Sequence, residues 1–205
     1  MTTEDDAELM LRYARGDLAA FRLLYARHRA ALYRYLARHT HDPDTANDLF
    51  QEVWSRVIEH RARYEPRAKF RTFLFRIAHN CFIDHHRRAA TRKQSHSVSV
   101  DMPGEDWIDT LRVPEGELPD SRAEQTQLLL RYRAALEALP AEQRDVFLLY
   151  EQSGLSLEEV AHITGVGTET AKSRLRYALA KLRGALTASG GGAPERRVPL
   201  EEPGT

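Results

Sequence analysis

The chain of 205 residues holds a single cysteine, Cys81. That scarcity excludes an intramolecular disulfide and any zinc site built on several thiolates. No apolar run approaches the ~18 residues that a membrane-spanning helix requires, so no membrane insertion is expected. The first residues, MTTEDDAEL, are acidic and carry no hydrophobic stretch, so a signal peptide is not expected either. These absences together suit a reducing cytoplasm. Net charge is missing too, since 30 Lys and Arg offset 30 Asp and Glu. Taken alone, that balance argues against a nucleic-acid partner.

The distribution of charge reverses this reading. Residues 60–93 carry ten Lys and Arg against two acidic residues, whereas residues 94–125 carry eight acidic residues against two arginines. The zero is a cancellation between two basic segments and an acidic one. With 29% charged and 42% hydrophobic residues the composition is that of a globular protein, long enough for one large or two small domains.

Periodicity predicts helices throughout. Glu4 to Arg15 reads as a short helix closed by Gly16, and Asp17 can cap the next, along which Leu18, Phe21, Leu24, Tyr25, His28, Ala31, Leu32, Tyr35 and Leu36 recur at helical spacing. His39, His41 and Asp42 raise the question of a metal. Side chains at i and i+2 do not converge on a helix, and solvated histidines are the expectation there. Asp42 before Pro43 is a start signal, a capping side chain followed by proline at the first helical position. Ala46, Leu49, Phe50, Val53, Trp54, Val57 and Ile58 then give an apolar stripe, with Asp44, Asn47, Asp48, Gln51, Glu52 and Arg56 beside it as a docking face or a plain solvated surface.

Pro66 breaks the pattern and predicts a loop before FRTFLFRIAHNCFIDHHRR. That helix is expected to bury Phe73, Leu74, Ile77, Ala78, Cys81 and Phe82 and to leave Arg71, Arg76, His79, Asn80, Arg87 and Arg88 outside. Aromatic rings interleaved with arginines suit single-stranded bases, which stack on rings while guanidinium groups hold phosphates. Asp84, His85 and His86 are adjacent on a helix and point ~100° apart, so they do not form a metal set.

Residues 94–120 are rich in proline, glycine, serine and acid and read as a linker, with Trp107, Ile108 and Leu111 as a small apolar island. Ser121 with Glu124 is a capping box that opens an amphipathic helix ending before Pro140, and a further helix ends at Gly154. Ser156 with Glu159 is a second capping box. Gly165 and Gly167 permit the positive φ of a tight turn, and Thr168 is expected to cap the last helix. Ala171, Leu175, Ala178, Leu179 and Leu182 share its buried stripe, which leaves Lys172, Ser173, Arg176 and Tyr177 outside. The order is that of a helix-turn-helix, or of an ordinary helical hairpin with solvated charges. Five Lys and Arg against one acidic residue over 168–184 favour DNA. The expected fold class is all-α: two small helical domains over 1–93 and 121–187, a flexible acidic linker over 94–120 between them, and a disordered tail over 188–205.

With both halves in view, the chain resembles a bacterial extracytoplasmic-function (ECF) sigma factor of the sigma-70 family, the small type that keeps only regions 2 and 4. DPDTANDLFQEVWSRVIEH is similar to the core-polymerase-binding helix of that family, FRTFLFRIAHNCFIDHHRR to its minus-ten reader, and LPAEQRDVFLLYEQSGLSLEEVAHITGVGTETAKSRLRYALAKLR to its minus-thirty-five reader. The resemblance implies that Asp48, Leu49, Gln51, Glu52 and Trp54 lie at or under a face docked on core RNA polymerase. It implies that the loop Arg67 to Phe70, including Lys69, contacts minus-ten DNA together with Arg71, Arg76, Asn80, Arg87 and Arg88. Thr170, Lys172, Ser173, Arg174, Arg176 and Tyr177 then read the minus-thirty-five element. Many relatives have tryptophan where this chain has Phe73, so that ring is kept as core.

No bond chemistry, cofactor or metal is expected. Partners are core RNA polymerase, promoter DNA and an anti-sigma protein, by which members of this class are often held inactive. The rival reading is a regulator that uses the C-terminal helix-turn-helix without joining a polymerase. A histidine-dependent metal hydrolase is more distant, for want of a converging ligand set. The two cationic readers are expected to be kept apart by the acidic tether.

Overall fold

The computed structural model describes residues 4–40, 42–66, 68–93 and 122–187. The expected linker, its apolar island, the tail, Arg67, His41 and Ser121 lie outside the described residues.

Eight α-helices account for the regular structure among the described residues, with one short 3-10 turn at Arg61–Arg63. The first half holds α1 (Asp6–Ala14), α2 (Leu18–Thr40), α3 (Pro43–Glu59) and α4 (Phe70–Lys93). Several of their starts follow from capping. Asp17 Oδ1 accepts from the Ala19 and Ala20 amides at 2.9 and 3.3 Å, and Asp42 Oδ2 accepts from the Thr45 amide at 2.9 Å ahead of Pro43. On α3, Ala46, Leu49, Val53, Trp54 and Val57 are buried. Trp54 sits among rings from two helices, 5.7 Å from Phe21, 5.0 Å from Tyr25 and 6.4 Å from Phe50 between centroids. Leu18 departs from the expected stripe of α2 and is 65% exposed.

The second half holds α5 (Arg122–Glu137), α6 (Ala141–Ser153), α7 (Leu157–Thr164) and α8 (Thr168–Thr187), with α8 packed against the other three. Two glycines make the tight connections. Gly154 ends α6 at φ 61 and Gly165 ends α7 at φ 70, both in the left-handed region that side chains with a Cβ rarely enter. Gly167 does not use that freedom. It stands ahead of α8, and its carbonyl accepts from the Ala171 amide at 3.0 Å, so the helix opens at Thr168 rather than being capped by it.

The two halves are not apart. α6 packs on α2 and α4, α7 packs on α4, and the buried apolar residues of both halves form one contiguous cluster from Leu9 to Leu182. The two small helical domains that were expected are present, and they touch because α2 and α6 bury apolar residues in the same cluster, among them Leu36, Val146 and Leu149.

Trp54→Ala empties a fully enclosed ring site on α3. The expected loss is ~3–5 kcal/mol of unfolding free energy, read from denaturant melts. A loss below ~1 kcal/mol would show that the ring is not part of the core.

Candidate nucleic-acid interface

The last helix presents the cleaner surface. Ala171, Leu175, Ala178 and Leu182 turn inward, so Thr170, Lys172, Arg176 and Tyr177 are left exposed on the opposite side. The Arg176 guanidinium lies 5.2 Å from the centroid of the Tyr177 ring, itself 53% exposed. Such stacking pre-orders a cation beside an aromatic face. Lys172 is 3.8 Å from Glu169, a pair too exposed to hold it firmly. Ser173 is half-buried. Arg174, expected among the outward residues, instead pairs with Glu142 of α6, because its place on the helix faces the neighbouring element. The turn before α8 is held by α7: the Val166 amide donates to the Ala161 carbonyl at 3.0 Å.

On α4 the expected site divides. Arg76, Asn80, Arg87 and Arg88 are exposed, as are Lys69 and Arg71. Phe70 is not available for stacking. It is 1% exposed, with His28 at 5.3 Å, Tyr64 at 6.3 Å and Phe73 at 6.1 Å between centroids, so this ring belongs to the core. Phe73 packs against the same core, as expected. Arg67 lies outside the described residues.

The start of α4 meets the second half of the chain. Glu159 Oε2 accepts from the Ser156 amide at 2.8 Å, completing the capping box of α7. Its other oxygen accepts from the Thr72 hydroxyl at 2.8 Å and lies 3.6 Å from Lys69 Nζ. Burial alone would raise this carboxyl, and the bonds from Ser156 and Thr72 with the Lys69 charge outweigh it, holding Glu159 below its usual value. Arg71 reaches over Gly154: a Cβ at that glycine would stand 2.9 Å from the guanidinium.

Deeper in the same seam stands Asp145 of α6, which the sequence reading passed over. The Tyr35 hydroxyl donates to its Oδ1 at 3.2 Å, His39 Nε2 is 3.3 Å from that oxygen, and His79 Nδ1 is 3.2 Å from Oδ2. His39 and His79, both expected to face water, are 6% and 8% exposed. Burial works against the Asp145 charge, but the contacts from the two histidines hold its carboxyl far below the ordinary range. Burial lowers His39, against the pull of the Asp145 carboxylate. Among the described residues no three His, Cys, Asp or Glu side chains converge on a metal position. Cys81 is buried, and its thiol is pushed up to about 11, chiefly by burial.

The candidate polymerase face on α3 also has two layers. Asp48 and Gln51 are exposed. Glu52 is half-buried and held by Arg56 at 2.6 Å, and Arg56 also lies 3.7 Å from Asp84 of α4. Leu49 and Trp54 are beneath the surface, 2% and 5% exposed.

A helical bundle joined to a helix-turn-helix whose second helix offers cations and a tyrosine defines a class of DNA-reading transcription protein. Comparison with known proteins specifies it. The family model described as Sigma-70 region 2 matches residues 24–92, and the one described as Sigma-70, region 4 matches residues 129–182. The ECF RNA polymerase sigma factor SigL of Mycobacterium tuberculosis is 35% identical over 172 residues, covering 83% of this chain and 90% of SigL. The chain belongs to the ECF group of sigma-70 family RNA polymerase sigma factors.

Among solved structures, the sigma factor RpoE of Bartonella quintana, in complex with the anti-sigma factor NepR, is similar with a TM-score of 0.65 and 25% identity, covering 82% of this chain and 98% of that one. CnrH, in complex with the cytosolic domain of CnrY, shares the fold with a TM-score of 0.65 at 24% identity, covering 91% of this chain and 99% of that one. Matches to both halves replace the reading of a regulator built on the C-terminal motif alone. Membership makes the chain a promoter-directing polymerase subunit. No helix among the described residues is long and apolar enough to cross a membrane.

Burial also lowers His28 from its usual 6.5, against the pull of Asp6 2.7 Å away. Histidines depressed in the folded state take up protons on unfolding, so the stability they contribute is present above 6.5 and is lost as pH falls below it. Asp6 and Asp145, lowered from 3.8, extend the loss at more acid pH. Thermal melts should therefore show a falling midpoint between pH ~7.5 and ~5.5. A flat profile would mean that His28 and His39 titrate in the folded protein as they do in the unfolded chain.

Proposed function

We propose that the chain binds core RNA polymerase through the exposed polar face of α3, reads the minus-ten strand with α4 and its preceding loop, and reads the minus-thirty-five element with α8. The observation that carries this reading is the solvent-open row Thr170, Lys172, Arg176 and Tyr177 on the second helix of a helix-turn-helix, where a helix of this kind enters a major groove. Arg176 offers a planar, two-pronged donor to a base edge or a phosphate. Arg174, tied to Glu142, acts by bracing α8 on α6.

On α4 the reading rests on Lys69, Arg71, Arg76, Asn80, Arg87 and Arg88, with Arg67 in the preceding loop. Asn80 carries both a donor and an acceptor toward a base. Phe70 supports this loop from below. Residues 1–93 and 121–187 are taken as the two functional domains, with 94–120 as their tether and 188–205 as a tail.

The chain performs no bond chemistry in this account. Binding energy does the work: extruding a base costs roughly a few kcal/mol, comparable to one bidentate contact with stacking, so opening the duplex draws on the contacts of the polymerase as well. The place of action is the cytoplasm, where core polymerase works. The B. quintana relative is seen with an anti-sigma protein, and a partner of that kind is the natural inhibitor here.

Two measurements separate the surfaces. Arg176→Ala should lower run-off transcription from a minus-thirty-five-dependent promoter ~10-fold or more while leaving core polymerase affinity unchanged. Loss of both would make the residue structural. Conversely, Asp48→Arg with Gln51→Ala should weaken core polymerase binding in a pull-down or titration while the melting midpoint stays within ~2 °C of wild type. Unchanged affinity would remove α3 from the docking surface.

A further inference from the structure

The geometry points to a supporting role for α1 in minus-ten reading: Asp6, acting through the buried ring of His28, seats the ring cluster on which the loop before α4 begins and ends. Asp6 and His28 are thereby positioning residues for that loop. The inference rests on the assignment of α4 and its loop as the minus-ten reader, and it gives a task to a helix that lies outside the matched residues 24–92.

Asp6, Leu9, Met10 and Tyr13 fall at intervals of three and four along α1, and the last three of them are buried. The helix packs on α2, on the 3-10 turn Arg61–Arg63 and on α4. The turn and α4 are the two elements that the loop joins. At the turn, the Arg61 guanidinium lies 6.0 Å from the centroid of the Tyr13 ring and donates to the Ile58 carbonyl at 2.8 Å. At α4 the tie runs through one side chain of α2. Asp6 Oδ2 lies 2.7 Å from His28 Nε2, and the His28 ring lies 5.3 Å from that of Phe70, the first residue of α4.

The Asp6 bond decides how the His28 ring sits. His28 is buried, and its Nδ1 meets no hydrogen-bond partner among the described residues, so the contact at Nε2 is the polar one that sets the ring's rotation. The carboxylate is itself fixed from α2, since Arg27 Nη1 donates to Asp6 Oδ1 at 2.6 Å and to the Glu4 carbonyl at 2.7 Å. Phe70 passes this order on. Tyr64, which closes the 3-10 turn, lies 6.3 Å from Phe70, and Phe73 lies 6.1 Å from Phe70 and 5.2 Å from Tyr64 between centroids. The chain leaves the ring cluster at Tyr64 and returns to it at Phe70, so the stacking of these rings sets the span of the loop between them. Rotating His28 displaces Phe70, and the exposed Lys69 and Arg71 beside it move too.

Single-strand binding separates positioning from packing in the full-length protein joined to core polymerase. The probe is a fluorescently labelled single strand carrying the minus-ten element of a promoter that this protein initiates in run-off transcription. His28→Phe keeps a ring against Phe70 and removes the bond to Asp6. This variant and Asp6→Ala should each weaken strand binding at least ~5-fold and leave core polymerase affinity within ~2-fold. The double variant should bind no worse than the weaker single one, because both substitutions break the same link. Losses that multiply in the double variant would overturn the link. So would wild-type strand affinity in variants that melts show to be folded at the assay temperature, or a core affinity that falls as far as strand affinity. Should His28→Phe not fold, strand affinity set against core affinity in Asp6→Ala decides by the same criteria. If Arg76→Ala with Asn80→Ala leaves strand affinity intact, the assignment of the reader has failed instead.

Discussion

The burial of one carboxylate constrains most of this structure. Asp145 sits where water cannot solvate it, and an ion in such a place costs roughly several kcal/mol unless donors surround it. Its neighbours come from elsewhere: the Tyr35 hydroxyl donates to it from α2, and the rings of His39 on α2 and His79 on α4 lie within 3.3 Å. Helix α6 therefore has one favourable seat on the first half of the chain. Because α6 packs along α8 and against α7, the position of the helix-turn-helix follows from that seat. Glu159 repeats the logic at the rim with a single side chain, one oxygen serving its own helix and the other serving α4.

The local features were legible because their causes are local. The capping box at Ser156 and Glu159, the Asp42 cap before Pro43 and the left-handed glycine at 165 are decided within four residues, and each is present. Periodicity identified the inward rows of α3 and α8. What pattern could not deliver was the destination of polar residues. His39 and His79 look like ordinary solvated positions on helices, and Tyr35 and its carboxylate partner are 110 residues apart in the chain. Nothing short of the assembled seam pairs them. Phe70 shows the same limit from the opposite side. Its neighbours in sequence are basic and loop-like, but its ring is claimed by His28, Tyr64 and Phe73. A signal did exist for Asp145, an acidic residue followed directly by the apolar run Val146 to Leu149 on a helix that is buried around much of its circumference.

The surfaces also differ in how firmly they are built. On α3, the exposed Asp48 and Gln51 stand on Leu49, Val53 and Trp54, so a partner meets a rigid platform. On α8, the row from Thr170 to Tyr177 rests on Ala171, Leu175 and Ala178, where two small residues let α8 lie close to its neighbours. The loop before α4 has no such underlay beyond Phe70 and Tyr64, and its polar side chains take partners from the other half of the chain.

The helix cap at the seam is built within its own half. Glu159 gives one oxygen to the Ser156 amide and the other to Thr72 and Lys69, so the cap of α7 does not depend on α4. At the centre of the seam, parting Asp145 from Tyr35 and the two histidines would cost their mutual contacts and return their hydration. A polar centre recovers part of that loss from water, which an apolar centre of equal area could not do.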